Sequence, residues 1–533
     1  MDETISSFRK EEKPDEVMKE IIERYRLLNP ETVLKLFNYI IVKSNMNFKE
    51  NNKSDFSLKL FLDIIYLYSC NGYLGNKETI DFEEEYSYIS EKIELIQDIY
   101  YWSIVEENKT HTDSITTDAF MSYHFDYHLI TLRQYNNFIN SNSELFNNNF
   151  GGDFKSNEIV KGIYALMKIE FCLKENKHLE LIHNYYIEHH PELFAFVGNM
   201  PFYLLIPKLL AERILINYNI PLAFIDTFIK EIQISKEELI HYPTDIKKIT
   251  NHTVGYSYNN LLLFPRTYFI LDRLLNNMLF DNKSFLSKKG DITENYCMEI
   301  LLNLFEESKI FKGLYDEMGN EQDIIVLHND TVIVFECKSS TLREPFRNYM
   351  KSKVRLAEDF KESIQKAYNQ GLRVIENIRN GTAVYYDNDN KNKRNLILNL
   401  NIIKPENVII VAVTLTTYLS LANKIHLLLE RGAESNQYPW AIDVFSLEHI
   451  VNKCKRDFDS DYLIKYIRAR IETFGSTFSS AADEVSYFGF YTKYNRFYNG
   501  ANYNAFMMLG PGYSSFVIDE EKENFLSLSE LGL

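Results

Sequence analysis

Cysteines are few in this chain of 533 residues, and no two of them are close neighbours in the sequence. The five cysteines lie far apart, at Cys70, Cys172, Cys297, Cys337 and Cys454. Their spacing contains no CxxC motif, which argues against a zinc site or a disulfide framework. The cysteine usage therefore favours a reducing environment, and we expect a cytoplasmic protein.

Long apolar runs are also missing. The run LFLDIIYLY (residues 60–68) is much shorter than the stretch of about 20 apolar residues that a membrane-spanning helix needs. The first 16 residues, MDETISSFRKEEKPDE, have neither the basic start nor the apolar stretch of a signal peptide. We therefore expect a soluble protein without a membrane partner.

Positive charge is in short supply. With 58 basic and 75 acidic residues the formal net charge is −17, which argues against a protein that binds nucleic acid over its whole surface. Any nucleic-acid site must then be a local concentration of Lys and Arg. The 45% hydrophobic content and the length predict two or more domains with buried cores.

The first half of the chain has a helical pattern. Apolar residues recur at intervals of three and four in segments such as EVMKEIIERYRLL and PFYLLIPKLLAERILI. We therefore predict a large all-helical domain over residues 1–285, with a regulatory or assembly role.

Beyond Lys288 strands and helices are mixed, which predicts an α/β core over residues 286–456 with a mixed sheet flanked by helices. Residues 457–533 are expected to form a helical, then irregular, extension. The predicted elements of the core are a helix (293–308), a hairpin (321–340), a charged helix (352–378), two strands (407–415 and 438–446) and a helix (447–457).

The hairpin segment EQDIIVLHNDTVIVFECKSS carries charges inside apolar strands. Because side chains alternate along a strand, Glu336 and Lys338 share one face while Cys337 points to the other. Asp323 lies across the turn and is able to join them. Two carboxylates and an ammonium are thus expected to lie together on a small sheet.

This group has a specific chemical use. Carboxylate oxygens are hard ligands for Mg²⁺ or Mn²⁺, and such an ion neutralises charge that develops on a phosphodiester. Lys338 would orient or deprotonate the attacking water, or stabilise negative charge; the residue type does not choose between these roles. The competing explanation is a simple ion pair between Glu336 and Lys338 on an exposed edge strand.

The order of these residues resembles the PD-(D/E)xK nuclease superfamily, which has the restriction-endonuclease-like fold, over residues 288–456. The resemblance implies that Asp323, Glu336 and the backbone carbonyl of Cys337 hold Mg²⁺, or Mn²⁺ in its place. It also implies a glutamate on the preceding helix, for which Gly290-xxx-Glu294 makes Glu294 the choice and Glu299 the alternative.

Members of this superfamily often carry a glutamine on the helix after the (D/E)xK strand. Gln370 is the preferred candidate here, and Gln365 the alternative.

A basic segment follows the ExK strand directly. It contains the four residues Arg343, Arg347, Lys351 and Lys353. They are candidate phosphate contacts, or else a solvated helix face.

Together these features predict a Mg²⁺-dependent nuclease, with DNA favoured over RNA by the resemblance, and a homo-oligomer if both strands of a duplex are cut. Two other functions stay open. One is a catalytically silent module that binds nucleic acid. The other is an anti-phage defence effector whose helical half responds to a protein trigger.

Overall fold

A computed structural model provides the coordinates. It describes residues 13–51, 57–70, 75–107, 130–142, 184, 187–189, 191, 205–217, 256–258, 260–263, 283–343, 349–418, 420–432, 437–474, 479–481, 483–497, 507–509 and 511–518.

The described residues fall into two compact units. One is formed by residues before Ser284, apart from Ile130, and the other by Ile130 and the residues from Ser284 onward. The domain limits at residues 285 and 456 stay predictions. In the described ranges, no helix combines the length and the apolar character that crossing a membrane requires.

The first unit contains six described helices and three short strands. The helices are α1 (Pro14–Arg26), α2 (Pro30–Asn51), α3 (Leu58–Cys70), α4 (Phe82–Glu107), α5 (Leu132–Ser141) and α6 (Lys208–Asn217). The strands β1 (Leu205–Pro207), β2 (Tyr256–Tyr258) and β3 (Leu261–Leu263) form an antiparallel sheet in the order β1-β3-β2. The prediction of an all-helical first domain was therefore wrong in this detail.

The small sheet has a local cause that the helical pattern obscured. Asn260 adopts a positive φ of 66°, a conformation that asparagine tolerates better than most residues. It immediately precedes β3, whose three leucines are all buried. The turn and the buried run together favour a hairpin over a continued helix.

The second unit is built on a seven-stranded mixed sheet in the order β10-β9-β6-β5-β4-β7-β8. Its strands are β4 (Ile310–Tyr315), β5 (Glu321–His328), β6 (Thr331–Lys338), β7 (Val384–Tyr386), β8 (Leu396–Asn399), β9 (Val408–Thr414) and β10 (Trp440–Asp443). Strands β6, β9 and β10 are parallel, whereas β5, β4, β7 and β8 pair in antiparallel fashion. The unit is thus an α+β architecture.

Helices surround this sheet. They are α7 (Lys283–Leu302), α8 (Tyr349–Phe360), α9 (Lys366–Arg379), α10 (Ser420–Asn423), α11 (Val444–Asp457), α12 (Ser460–Glu472) and α13 (Glu484–Tyr494). A π-helical turn, Lys361–Gln365, joins α8 to α9. Strands β11 (Ser479–Ala481) and β12 (Met507–Leu509) form a separate parallel pair.

The predicted hairpin, the strands β9 and β10, and the helices α7, α9 and α11 are confirmed, but three strands were not predicted. Strand β4 contains Gly313 with a positive φ of 62°, and its apolar residues alternate poorly, so it lacks a strand signature. Strands β7 and β8 are only three and four residues long. Their pairing with one another and with β4 makes them strands, and a local pattern does not contain this information.

The two faces of the sheet are covered by different helices. On one face α9 packs closely: a Cβ added to Gly371 would lie 2.5 Å from Cγ2 of Ile410 on β9. On the other face Cys337 lies against Cys297 of α7. The sheet is therefore buried on both sides, and its central strands are almost wholly apolar.

A buried ionic network joins three elements of the second unit. Glu484 at the start of α13 accepts hydrogen bonds from Arg470 Nε (3.0 Å), from Trp440 Nε1 (2.8 Å) and from the hydroxyl of Tyr466. Arg470 also donates to Thr473 Oγ1 (2.8 Å). All these groups are buried, so each charge depends on its partner.

Removing one partner of this network should destabilise the protein strongly. We expect Glu484→Ala to lower the free energy of unfolding by about 3 to 5 kcal/mol, because Arg470 would be left buried without its counter-ion. Chemical denaturation measures the change. As a control, Glu376→Ala at an exposed position of α9 should have little effect. Equal stability of the two variants would show that the buried network around Glu484 does not stabilise the fold.

Candidate metal centre

The hairpin of β5 and β6 brings the predicted acidic residues together. Asn329, with a φ of 53°, belongs to the two-residue turn, and His328 pairs with Thr331. The register continues to Ile324 and Phe335, so the next residues, Asp323 and Glu336, lie side by side at the far end of the hairpin. Lys338 contacts both carboxylates, so Asp323, Glu336 and Lys338 lie together on one face of the sheet, as predicted.

Strand β6 is an inner strand of the sheet. It pairs with β5 on one side and with β9 on the other, where Glu336 lies opposite Ala412 and Lys338 opposite Thr414. Glu336 is 0% exposed. An ion pair that protects an exposed edge strand is therefore the wrong explanation for these charges.

Three oxygen atoms converge on the ammonium group of Lys338. Its Nζ donates to the carbonyl of Cys337 at 3.1 Å, to Asp323 Oδ2 at 3.2 Å and to Glu336 Oε2 at 3.5 Å. Asp323 Oδ2 also accepts the backbone N–H of Cys337 at 2.7 Å. The predicted cation ligands thus surround one position, and the ammonium group of Lys338 occupies it.

The carboxyl group of Glu336 is fully buried. Burial raises the pKa of its carboxyl well above the ordinary value, and Asp323 raises it further, whereas Lys338 and Arg373 act in the opposite direction. Within the described ranges, its Oε1 has no hydrogen-bond partner. A buried carboxyl oxygen without a partner is costly, and a cation at this position would satisfy it.

Glu294 lies near this group, on α7. Burial raises its pKa to about 7, the negative charge of Asp323 adds to the effect, and Lys312 opposes it. Lys312 Nζ lies 3.9 Å from Glu294 Oε2. The alternative, Glu299, lies on an exposed position of the same helix.

The donor set fits a hard divalent cation. Asp323, Glu336 and the Cys337 carbonyl offer oxygen ligands only, as Mg²⁺ prefers, and Mg²⁺ requires distances of about 2.0 to 2.1 Å. An ion at these distances would displace the ammonium group of Lys338 from its position. Among the described residues, no group of three or more His, Cys, Asp or Glu side chains is placed to hold a metal ion.

The two candidate glutamines differ in their surroundings. Both ends of the Gln365 amide are hydrogen-bonded to the backbone of Glu430. Its Nε2 donates to the carbonyl of Glu430 (3.0 Å), and its Oε1 accepts the Glu430 N–H (2.8 Å). Gln370 Oε1 is buried, and the residues that the structure describes provide no partner for it. Gln370 therefore retains an acceptor for an external ligand.

The basic segment after β6 is only partly visible. Arg343 donates from Nε to Asp359 (2.7 Å) and from Nη2 to Glu358 (2.7 Å), so two carboxylates already engage it. Arg347 lies outside the described residues. Lys351 and Lys353 belong to α8, but their side chains also lie outside the description. Phosphate contact by these four residues stays a prediction.

Arg373 was not predicted from the sequence. Its charge acts on Glu336, and it lies three residues after Gln370 on α9. The helical spacing of i and i+3 to a predicted site glutamine is the signal that was available in the sequence.

Comparisons of the chain with protein-family models, curated proteins and solved structures found no match.

Replacing the buried carboxyl should separate folding from metal binding. Because the pKa of Glu336 is raised in the folded state, the native protein loses stability as the pH rises above the ordinary value of 4.5. Glu336→Gln removes this loss, so without metal we expect it to melt at or above the wild-type temperature at neutral pH. Mn²⁺ should stabilise the wild type, by about 2.7 kcal/mol at a hundredfold excess over its dissociation constant, but not the variant.

The matched control is Asp330→Asn, an exposed carboxyl at the opposite end of the same hairpin. Thermal melting with and without Mn²⁺ measures all three proteins. A Mn²⁺ response that persists in Glu336→Gln and disappears in Asp330→Asn would place the metal elsewhere.

Proposed function

We propose that this protein is a metal-dependent nuclease that hydrolyses phosphodiester bonds, and that its second unit is a PD-(D/E)xK-like catalytic domain. The observation that carries the proposal is the convergence of Asp323, Glu336 and the Cys337 carbonyl on the Lys338 ammonium, within 3.1 to 3.5 Å. Two acidic side chains and a lysine are otherwise costly to gather at the end of a buried strand.

The fold supports the same proposal. The ExK strand β6 is central, β5 carries the aspartate in the antiparallel neighbour, and α9 covers the face that the site residues share. Helix α7 precedes this hairpin and carries Glu294. This order of helix, aspartate strand, ExK strand and helix is the one that the superfamily resemblance implies.

Each side chain then has a role that its position allows. Asp323, Glu336 and the Cys337 carbonyl would hold Mg²⁺ or Mn²⁺, and Glu294 would contribute directly or through water. The ion would neutralise negative charge on the phosphodiester as it is attacked.

Displaced from the carboxylates, Lys338 would remain beside the site because its backbone is fixed in β6. Its ammonium would orient the attacking water or stabilise the developing negative charge. Gln370 would position substrate or water through its amide. DNA is the proposed substrate before RNA, on the strength of the resemblance.

The decisive variant is Lys338→Ala. We expect Mg²⁺- or Mn²⁺-dependent cleavage by the wild type and a loss of about 10² to 10⁴-fold in the variant, which is the usual contribution of a proton-transferring or charge-stabilising group. The substrates are plasmid, linear duplex, single-stranded DNA and RNA, compared side by side. Lys309→Ala, an exposed lysine before β4, should cleave as the wild type does.

The outcomes separate the functions. Cleavage that is unchanged in Lys338→Ala would sink the assignment of this site. Binding without cleavage by any of the three proteins, in the presence of either metal, would favour a catalytically silent nucleic-acid-binding module.

A further inference from the structure

Two unsatisfied polar groups lie one turn apart on α9. Gln370 Oε1 and Arg373 Nε are both buried, and neither has a hydrogen-bond partner among the residues described. Residues three apart are neighbours on the surface of a helix, so the two side chains start from one side of α9. Buried polar atoms are normally satisfied, and two on one side of a helix point to a ligand that the chain itself does not supply.

Helix α9 is held rigidly against the sheet. Gly371, between the two polar residues, leaves no room for a Cβ above Ile410 of β9. Ile410 pairs with Val334, two residues before Glu336 on the same face of β6. The backbone of α9 therefore passes close to β9, the strand that pairs with β6, and the side chains of α9 have a fixed position relative to Glu336.

Arg373 reaches the acidic end of the hairpin. Its Nη2 donates to the carbonyl of Glu321 at 3.3 Å, two residues before Asp323. Its charge also acts on the carboxyl group of Glu336. A guanidinium has five N–H donors, and in the described structure this weak bond to a backbone carbonyl is the contact that Arg373 makes.

The charges of the site change when an ion binds. Without metal, the carboxyl groups of Asp323 and Glu336 face the cations Lys338 and Arg373. A divalent cation held by Asp323 and Glu336 would add positive charge beside Lys338 and Arg373, and an anion would offset it. A phosphodiester supplies one, and the planar fork of an arginine matches two of its oxygens.

We propose that Arg373 is a substrate-binding residue of this site, whose guanidinium contacts the non-bridging oxygens of the phosphodiester beside the metal position. The inference rests on the proposed nuclease function and adds a residue to it. The orphaned Nε, and the positive charge that a bound metal would add, both favour an anion at this point.

The test uses the full chain and a labelled oligonucleotide, duplex or single-stranded, with Ca²⁺ as an oxygen-binding cation. We expect Arg373→Ala to weaken binding by about tenfold to a hundredfold, as the loss of a charge-assisted hydrogen bond does. The slope of log affinity against log salt should fall by about 0.7 to 0.9, the loss of one phosphate contact. Arg373→Lys should recover part of the affinity and keep the slope.

The matched control is Arg379→Ala, an exposed arginine on the same helix. It should bind and cleave as the wild type does. Melting temperatures distinguish ligand binding from a structural role, since the Arg373 variants should melt within a few degrees of the wild type.

The outcomes distinguish this inference from the proposed function. If the wild type cleaves but Arg373→Ala matches Arg379→Ala in affinity, slope and rate, the assignment of Arg373 is wrong and the nuclease stands. If no protein cleaves but Arg373→Ala still loses affinity and slope, the anion subsite stands and the nuclease fails. Absence of binding by the wild type overturns the subsite.

Discussion

The carboxyl group of Glu336 is wholly buried at the end of an inner strand, and the rest of the site is arranged around this constraint. A buried carboxylate needs a positive partner, and the negative charge of Asp323 beside Glu336 makes the unpaired carboxylate still less favourable. Lys338 meets it only in part, because one oxygen of Glu336 has no partner in the described residues. In the proposed function, a bound cation would complete the arrangement and offset the cost of burying this group in an otherwise apolar strand.

The seven-stranded sheet makes this arrangement rigid. Pairing with β5 sets Asp323 beside Glu336, and pairing with β9 removes β6 from the edge of the sheet. Helix α9 packs closely on β9 at Gly371, and Arg373 of the same helix donates to the carbonyl of Glu321 on β5. The ionic network around Glu484 ties α12 and α13 to β10, the strand at one edge of the sheet. The site thus depends on long-range pairing and on close helix packing more than on any loop.

These dependencies explain which features the sequence could predict. The hairpin and the shared face of Glu336 and Lys338 follow from alternation along a strand, which is local. The inner position of β6 could not be predicted, because it depends on pairing with β9, some 70 residues later in the chain. Arg373 was missed for a related reason, since its direction depends on how α9 crosses the sheet. Strands β4, β7 and β8 are defined mainly by their partners.

The most direct measurement is the anomalous diffraction of crystals soaked with Mn²⁺. The account predicts an anomalous peak coordinated by Asp323, Glu336 and the carbonyl oxygen of Cys337, with the Lys338 ammonium displaced from its present contacts at 3.1 to 3.5 Å. A structure at saturating Mn²⁺ in which Lys338 still binds these three oxygens, without a peak between them, would contradict a metal centre at this position.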